Sequence, residues 1–233
     1  MDRWQKSDLM KNLYNALLLK HLYQLKNLGY KYTDENPYSH EEKEFLELPN
    51  SLQALKKQAQ NCHLCSLSKG RNHVVFGEGN PQAKIMFVGD VPLEIEDNTG
   101  AIFLGRGGEI LTTIIEKVLN LSREQVYITN LLKCHPLLTK KVHKSEFYTC
   151  KAYLFKEIEL VEPKVIVTLG ERAYHYLTND FTALKEIRGT VIKKDSYSIV
   201  PTYHPNFLLK NPSFKREFFL DLKKVQKLST FYK

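Results

Sequence analysis

The chain has 233 residues, 42% of them hydrophobic and 26% charged, with a net charge of +8 at pH 7. That length suits one α/β domain with an extension, or two small domains, and the apolar share is enough for a buried core. Four cysteines are too few for a disulfide scaffold at this size, and no apolar run is long enough to span a bilayer.

The first residues lack the apolar run and cleavage site of a secretory signal, so a cytoplasmic protein without a membrane partner is expected. The basic balance favours a polyanionic partner, nucleic acid first, although a lysine-rich proteome gives the same charge. Leu9, Leu13 and Leu17 fall at helical spacing, and Leu18, Leu22 and Leu25 make a second row before Asn27 and Gly29 stop the pattern. Residues 30–41 are polar and turn-rich, and a second helix is expected over 51–60 with Leu52 and Leu55 on its apolar face. Residues 1–46 therefore read as a helical N-terminal extension and 47–233 as the main domain. The extension carries no motif. It reads as a packing element, and residues 1–60 are also the place to expect docking of a replication or repair protein.

From residue 84 short apolar runs alternate with amphipathic stretches. Runs 84–89, 126–129, 165–169 and 198–203 read as buried strands, and 108–119, 145–160, 171–178 and 212–227 read as helices. Such alternation predicts a parallel sheet covered by helices, with ligands beyond the carboxyl ends of the strands. Polar residues or turns follow each strand at once: Gly89-Asp90, Asn130, Gly170-Glu171 and His204-Pro205. Candidate chemistry is thus expected along one rim.

In the stretch GDVPLEIED (89–97) Gly89 frees the backbone, Pro92 stiffens it, and four acids crowd one turn. One of them would hold a water, or the loop is a solvated acidic turn. Phe103 lies between turn glycines, and Gly105-Arg106-Gly107-Gly108 opens a helix whose free N–H groups suit a phosphate, or form a plain capping turn. No Walker A pattern is present. Asn130 offers a donor and an acceptor in one plane, suited to the edge of a base, and equally to an Asx turn. His204 precedes a proline and is placed to donate to a developing anion, or to pair with backbone. Leu208 and Leu209 follow on an expected exposed loop, where an apolar side chain wedges into a base stack, or belong to the core.

Cys62 and Cys65 form a CxxC; Cys134 follows 69 residues later and Cys150 a further 16. Used together, four thiolates make a structural zinc site or an iron–sulfur site. Spacing alone leaves the two open.

The ordered set CxxCxLxxGR (62–71), VVFGEGNPQAKIMFVGD (74–90), TGAIFLGRGGEILT (99–112), VYITNLLKCHP (126–136), Cys150, EPKVIVTLGERA (162–173) and PTYHPNFLL (201–209) resembles the family 4 (type a) uracil-DNA glycosylases. The resemblance runs from about residue 47 to 225. It implies a three-layer α/β fold with a central, mostly parallel four-stranded sheet between helices, and a monomer that repairs uracil-containing DNA by hydrolysing the N-glycosidic bond. It implies a [4Fe–4S] cluster on Cys62, Cys65, Cys134 and Cys150. It implies uracil binding by Gly89, Val91, Phe103 (stacking) and Asn130 (base edge), and catalysis by His204, at the leaving uracil, and Asp90, at the water. Arg106, Leu208 and Leu209 would contact DNA. The chain departs from the family pattern at Asp90 (usually glutamate), Leu93 (glycine), His135 (arginine) and Asn206 (serine). Those departures keep a second reading open, a catalytically weakened iron–sulfur DNA-binding protein of the same fold.

Overall fold

Valine and isoleucine runs that are apolar on both faces need cover on both sides, and the computed structural model gives them that cover. It describes residues 48–137, 142–194 and 196–231. The expected helix and partner surface within residues 1–47, and the lysines at 140 and 141, lie outside the described residues. Leu48–Lys233 make up one unit.

The elements run in chain order as α1 (Leu52–Gln60), β1 (Glu78–Gly79), β2 (Ile85–Gly89), α2 (Glu94–Thr99), α3 (Gly105–Ile114), β3 (Tyr127–Asn130), α4 (Lys144–Val161), β4 (Val165–Leu169), α5 (Glu171–Thr178), α6 (Leu184–Ile187), β5 (Ile192–Lys193), β6 (Ser198–Thr202), α7 (Pro205–Lys210) and α8 (Lys215–Phe231). The sheet order is β1-β3-β2-β4-β6-β5. Its four central strands are parallel, as the alternating pattern predicts. Two-residue strands β1 and β5 add antiparallel edges, too short to show in the sequence pattern.

Alternation along each strand sorts the core into two layers. Ile85, Phe87, Ile128, Val165, Val167 and Val200 face one side, where α3 and α8 supply Leu111, Phe218, Leu222 and Val225. Met86, Val88, Tyr127, Ile166 and Ile199 face the other, where α4 and α5 supply Phe147, Leu154, Ile158, Ala173 and Tyr174. Helix α1 starts on the Ser51 cap and buries Leu55 and Ala59 against Val74, Phe76 and Tyr153.

Two stretches differ from expectation. The acidic run after β2 is helix α2, with Glu96 and Asp97 buried. Helix α7 replaces the exposed loop expected after His204. Proline is favoured in the first turn of a helix, and Pro205 starts this one. Its spacing turns Pro205 and Leu208 to the same side, so Leu208 is 0% exposed in the core. The DNA wedge expected of Leu208 is therefore corrected: Leu209 is exposed and Leu208 is not. Among the described residues no helix is long and apolar enough to cross a membrane.

Candidate active site

The carboxyl ends of β2, β3, β4 and β6 share one rim. The first of these strands in the chain, β2, has β3 on one side and β4 on the other, so the connection reverses direction between β2 and β4. A crevice forms at such a reversal in parallel sheets. Two cavities occupy this end of the sheet, and His204 lines both.

The first cavity, with about 230 Å³ of empty space, is lined by Val91, Leu93, Glu96, Phe103, Leu104, Gly108, Asn130, His204 and Asn206. Register sets it: Gly89 pairs with Asn130 across β2 and β3. A Cβ on Gly89 would stand 2.2 Å from Asn130 Oδ1 and 2.7 Å from the Phe103 ring, so only glycine lets these two side chains meet there. Asn130 is buried, and its Oδ1 has no hydrogen-bond partner. A buried amide oxygen without a partner is costly, and a ligand edge in the cavity would satisfy it.

Phe103 has φ +51, in the left-handed region that non-glycine residues rarely adopt. Neighbouring contacts hold it there. Its carbonyl oxygen lies 1.8 Å from where a Gly108 Cβ would be. Glu96 ties both flanks of the cavity, since Leu93 N–H donates to Oε2 at 2.8 Å and Leu104 N–H to Oε1 at 3.0 Å. Asp97 accepts from Asn72 N–H at 2.9 Å. Two of the four acids in the run are thus structural. Arg123 donates to Ile102 O at 2.6 Å from behind the loop.

His204 caps α7. Its Nδ1 accepts from Asn206 N–H at 3.1 Å, which leaves Nε2 to carry the proton of the neutral ring. Burial first, and the nearby Arg172 cation second, push its pKa down to about 4. The ring stands near-parallel to Phe103, with centroids 5.6 Å apart and planes at 25°.

The second cavity, with about 520 Å³ of empty space, is lined by Asp90, Leu169, Gly170, Glu171, Arg172, His175 and His204. Asp90 Oδ2 pairs with Arg172 Nε at 3.1 Å. Its Oδ1 is buried without a partner. Burial pushes the Asp90 pKa up to about 6, and Arg172 opposes that rise. Arg172, at the start of α5, was missed in the sequence; its one signal is a place in the first turn after a strand, at the rim where ligands sit.

Among the expected DNA contacts, Arg106 is exposed in the first turn of α3 and Leu209 is exposed on α7. Leu93, half-exposed, stands at the mouth of the first cavity. His135 Nδ1 lies 2.7 Å from Pro92 O, holding the turn after Asp90.

Away from this rim, Cys62, Cys65, Cys134 and Cys150 line a single cleft with about 340 Å³ of empty space, together with Ala59, Leu64, Ser68, Arg71, Lys133 and Tyr153. All four are free thiols. Arg71 Nη1 donates to Cys134 Sγ at 3.3 Å. Among the described residues no group of three or more His, Cys, Asp or Glu is placed to hold a metal ion.

The sequence that builds this sheet and its cavities matches a known class of protein. The family model of the uracil DNA glycosylase superfamily matches residues 76–223. The type-4 uracil-DNA glycosylase of Sulfurisphaera tokodaii is 37% identical over 188 residues, covering 77% of this chain and 86% of the relative. The type-4 enzymes of Archaeoglobus fulgidus and Thermotoga maritima are each 34% identical, covering 76% and 78% of this chain and 93% and 95% of those relatives. The chain belongs to the uracil-DNA glycosylase superfamily, in its type-4 branch.

Proposed function

We infer that this chain is a DNA repair enzyme that flips uracil out of DNA and hydrolyses its N-glycosidic bond, leaving an abasic site. The observation that carries the reading is Asn130: a buried, unpartnered amide oxygen at the floor of a cavity that Phe103 and His204 also line. The N3–H of uracil would donate to that oxygen. The base would stack on Phe103, recovering about 1–3 kcal/mol of the cost of flipping.

When the bond between N1 and C1′ breaks, the electron pair leaves with the base and charge collects on its carbonyl oxygens. The Nε2–H of neutral His204 would donate to that oxyanion. Asp90, in the adjoining cavity, would hold the attacking water, accept its proton as oxygen bonds C1′, and face the positive charge building on the sugar. The first cavity therefore takes the base and the second the deoxyribose and water, with His204 between them. Gly89 and Val91 shape the base cavity, and Arg106 and Leu209 would meet the DNA.

Four thiols from three segments line one cleft, a donor set that suits a structural zinc ion or an iron–sulfur cluster. Membership of the type-4 branch favours the cluster. Cys62, Cys65, Cys134 and Cys150 would hold a [4Fe–4S] cluster, which would supply a structural cross-link there. Unpaired thiols suit the reducing cytoplasm. Residues 1–46 would be an accessory extension of a monomeric enzyme, and residues 1–60 would offer the site for a repair or replication partner.

The test uses full-length protein with single- and double-stranded uracil oligonucleotides, scored by alkaline cleavage at abasic sites. Uracil release is expected, with Asn130→Ala and His204→Ala each losing roughly 10²–10³-fold while still folding, as circular dichroism would show. DNA binding without release would favour the weakened binding protein instead.

A further inference from the structure

Asp90 and Arg172 belong to different strand–helix units and meet at the sheet's reversal point. Asp90 follows β2, and Arg172 opens α5 after β4; β2 and β4 pair directly. A 3.1 Å contact joins Arg172 Nε to Asp90 Oδ2. We propose that Arg172 is the positioning residue for hydrolysis: it clamps one oxygen of Asp90 so that the other, Oδ1, is presented to the sugar cavity as the proton acceptor for water. This rests on the reading of Asp90 as the residue that holds the water.

A carboxylate on a short aspartate stem swings about two torsions. Fixing Oδ2 on Nε removes that freedom and fixes where Oδ1 points. Oδ1 is buried and without a partner, which is wasteful unless something in the cavity, such as the water, completes it. Arg172 is itself steadied from the side, its guanidinium 6.0 Å from the centre of the Phe147 ring. It is 55% exposed, so the clamp remains in touch with solvent.

The same cation acts on both partners of the reaction in the useful sense. It opposes the burial that raises the Asp90 pKa, and it adds to the burial that lowers that of His204. One positive charge thus favours an ionised carboxylate and a neutral imidazole together, as the hydrolysis requires. The other titratable groups around Asp90 are Glu171 and His175 in the same cavity, Tyr176 on α5, and His204 after β6. Glu171 and His175 stand 3.9 Å from each other.

The experiment measures single-turnover excision at saturating enzyme on a single-stranded uracil oligonucleotide from about pH 5 to 9, with full-length cluster-loaded protein. Variants are Arg172→Ala, Arg172→Lys, Asp90→Asn and His175→Gln. Removing a paired cation shifts a carboxylate by about one unit or more. Arg172→Ala is expected to lower the rate on the high-pH plateau, where Asp90 is ionised but no longer aimed, and to move the acid limb up by about one pH unit, a further loss of roughly fivefold near pH 6 and roughly tenfold near pH 5; full recovery on the plateau would overturn the clamp. His204 also loses the cation, but its titration starts near 4 against about 6 for Asp90. Arg172→Lys should return the limb toward wild type. A loss by the same factor at every pH would overturn the proposal, as would a limb that follows His175→Gln instead. An unchanged saturating rate with weaker, more salt-sensitive DNA binding would make Arg172 a phosphate contact, and would also overturn it. Full activity of Asp90→Asn would sink the underlying reading of Asp90; an inactive Asp90→Asn with an unmoved limb in Arg172→Ala sinks the clamp alone.

Discussion

One backbone contact decides the chemistry of His204. Because Nδ1 accepts from Asn206 N–H, the ring's single proton sits on Nε2, the nitrogen free to donate. Protonating the ring would break that contact and place charge in a buried site, and its pKa is pushed down to about 4 from 6.5. Between those values the unfolded chain binds the proton and the folded one does not, so this group's contribution to stability is lost as pH falls from 6.5 toward 4. Asp90 has the opposite sign. Its pKa is raised from 3.8 to about 6, so the folded state binds more protons in that window and stability falls as pH rises through it. The two slopes oppose one another where the windows overlap. His204→Gln removes only the first. Its melting temperature relative to wild type should therefore rise as pH is lowered from about 7 to 4.5, by scanning calorimetry; a difference constant with pH would show that His204 is not held neutral. Asn130, Phe103 and His204 were legible in the sequence because each ends a strand or sits in a glycine-bounded turn beside one. Arg172 was not, because an ion pair between two strand–helix units leaves no mark in local spacing, and Leu208 was misplaced because its loop is a helix.

At the scale of elements, strands were easier to read than the short helices that build the pocket. Runs such as VIVTL signal a buried strand on their own. Six-residue α2 shows no full helical period, and its acids read as solvated until Glu96 and Asp97 are seen taking loop N–H groups. A second hidden arrangement stiffens the end of β3. Lys133 and Glu157 are 2% and 0% exposed and pair at 2.5 Å. Lys133 also donates to Thr129 Oγ1 at 2.6 Å and to Asn130 O at 2.8 Å, while Glu157 accepts from Tyr127 Oη at 3.0 Å and Gly77 N–H at 3.2 Å. The backbone of Asn130 thus hangs on a buried ion pair reaching back to α4. Desolvation makes such a pair costly to break and inexpensive to replace. Lys133→Met should cost about 3–5 kcal/mol in urea unfolding by stranding Glu157, whereas adding Glu157→Leu should recover much of it. If the double variant is as unstable as the single, burial of unpaired charge is not the cause.

At the scale of the molecule, the cysteine cleft and the active rim are joined through β3 and the turn after it. Cys62 follows α1, Cys65 starts the next turn, Cys134 lies just after β3, and Cys150 sits on α4. A ligand common to all four would fasten α1 to the β3 turn and to α4, closing a loop of chain that contains Phe103 and Asn130 but not His204. Burial raises the Cys134 thiol pKa and pushes that of Cys150 up to about 12, so this cleft is a poor home for bare thiolates and needs compensating positive charge when they are ionised. Lys133 lines the cleft as well as reaching the Asn130 carbonyl. Cys65→Ala is expected to purify with little iron and little acid-labile sulfide and to melt at a lower temperature. Its excision should fall in step with its folded fraction, because no cysteine lines either cavity at the rim. Iron and sulfide analysis with circular dichroism checks this directly. A wild-type protein that is colourless and carries one zinc would replace the cluster with a four-thiolate zinc site.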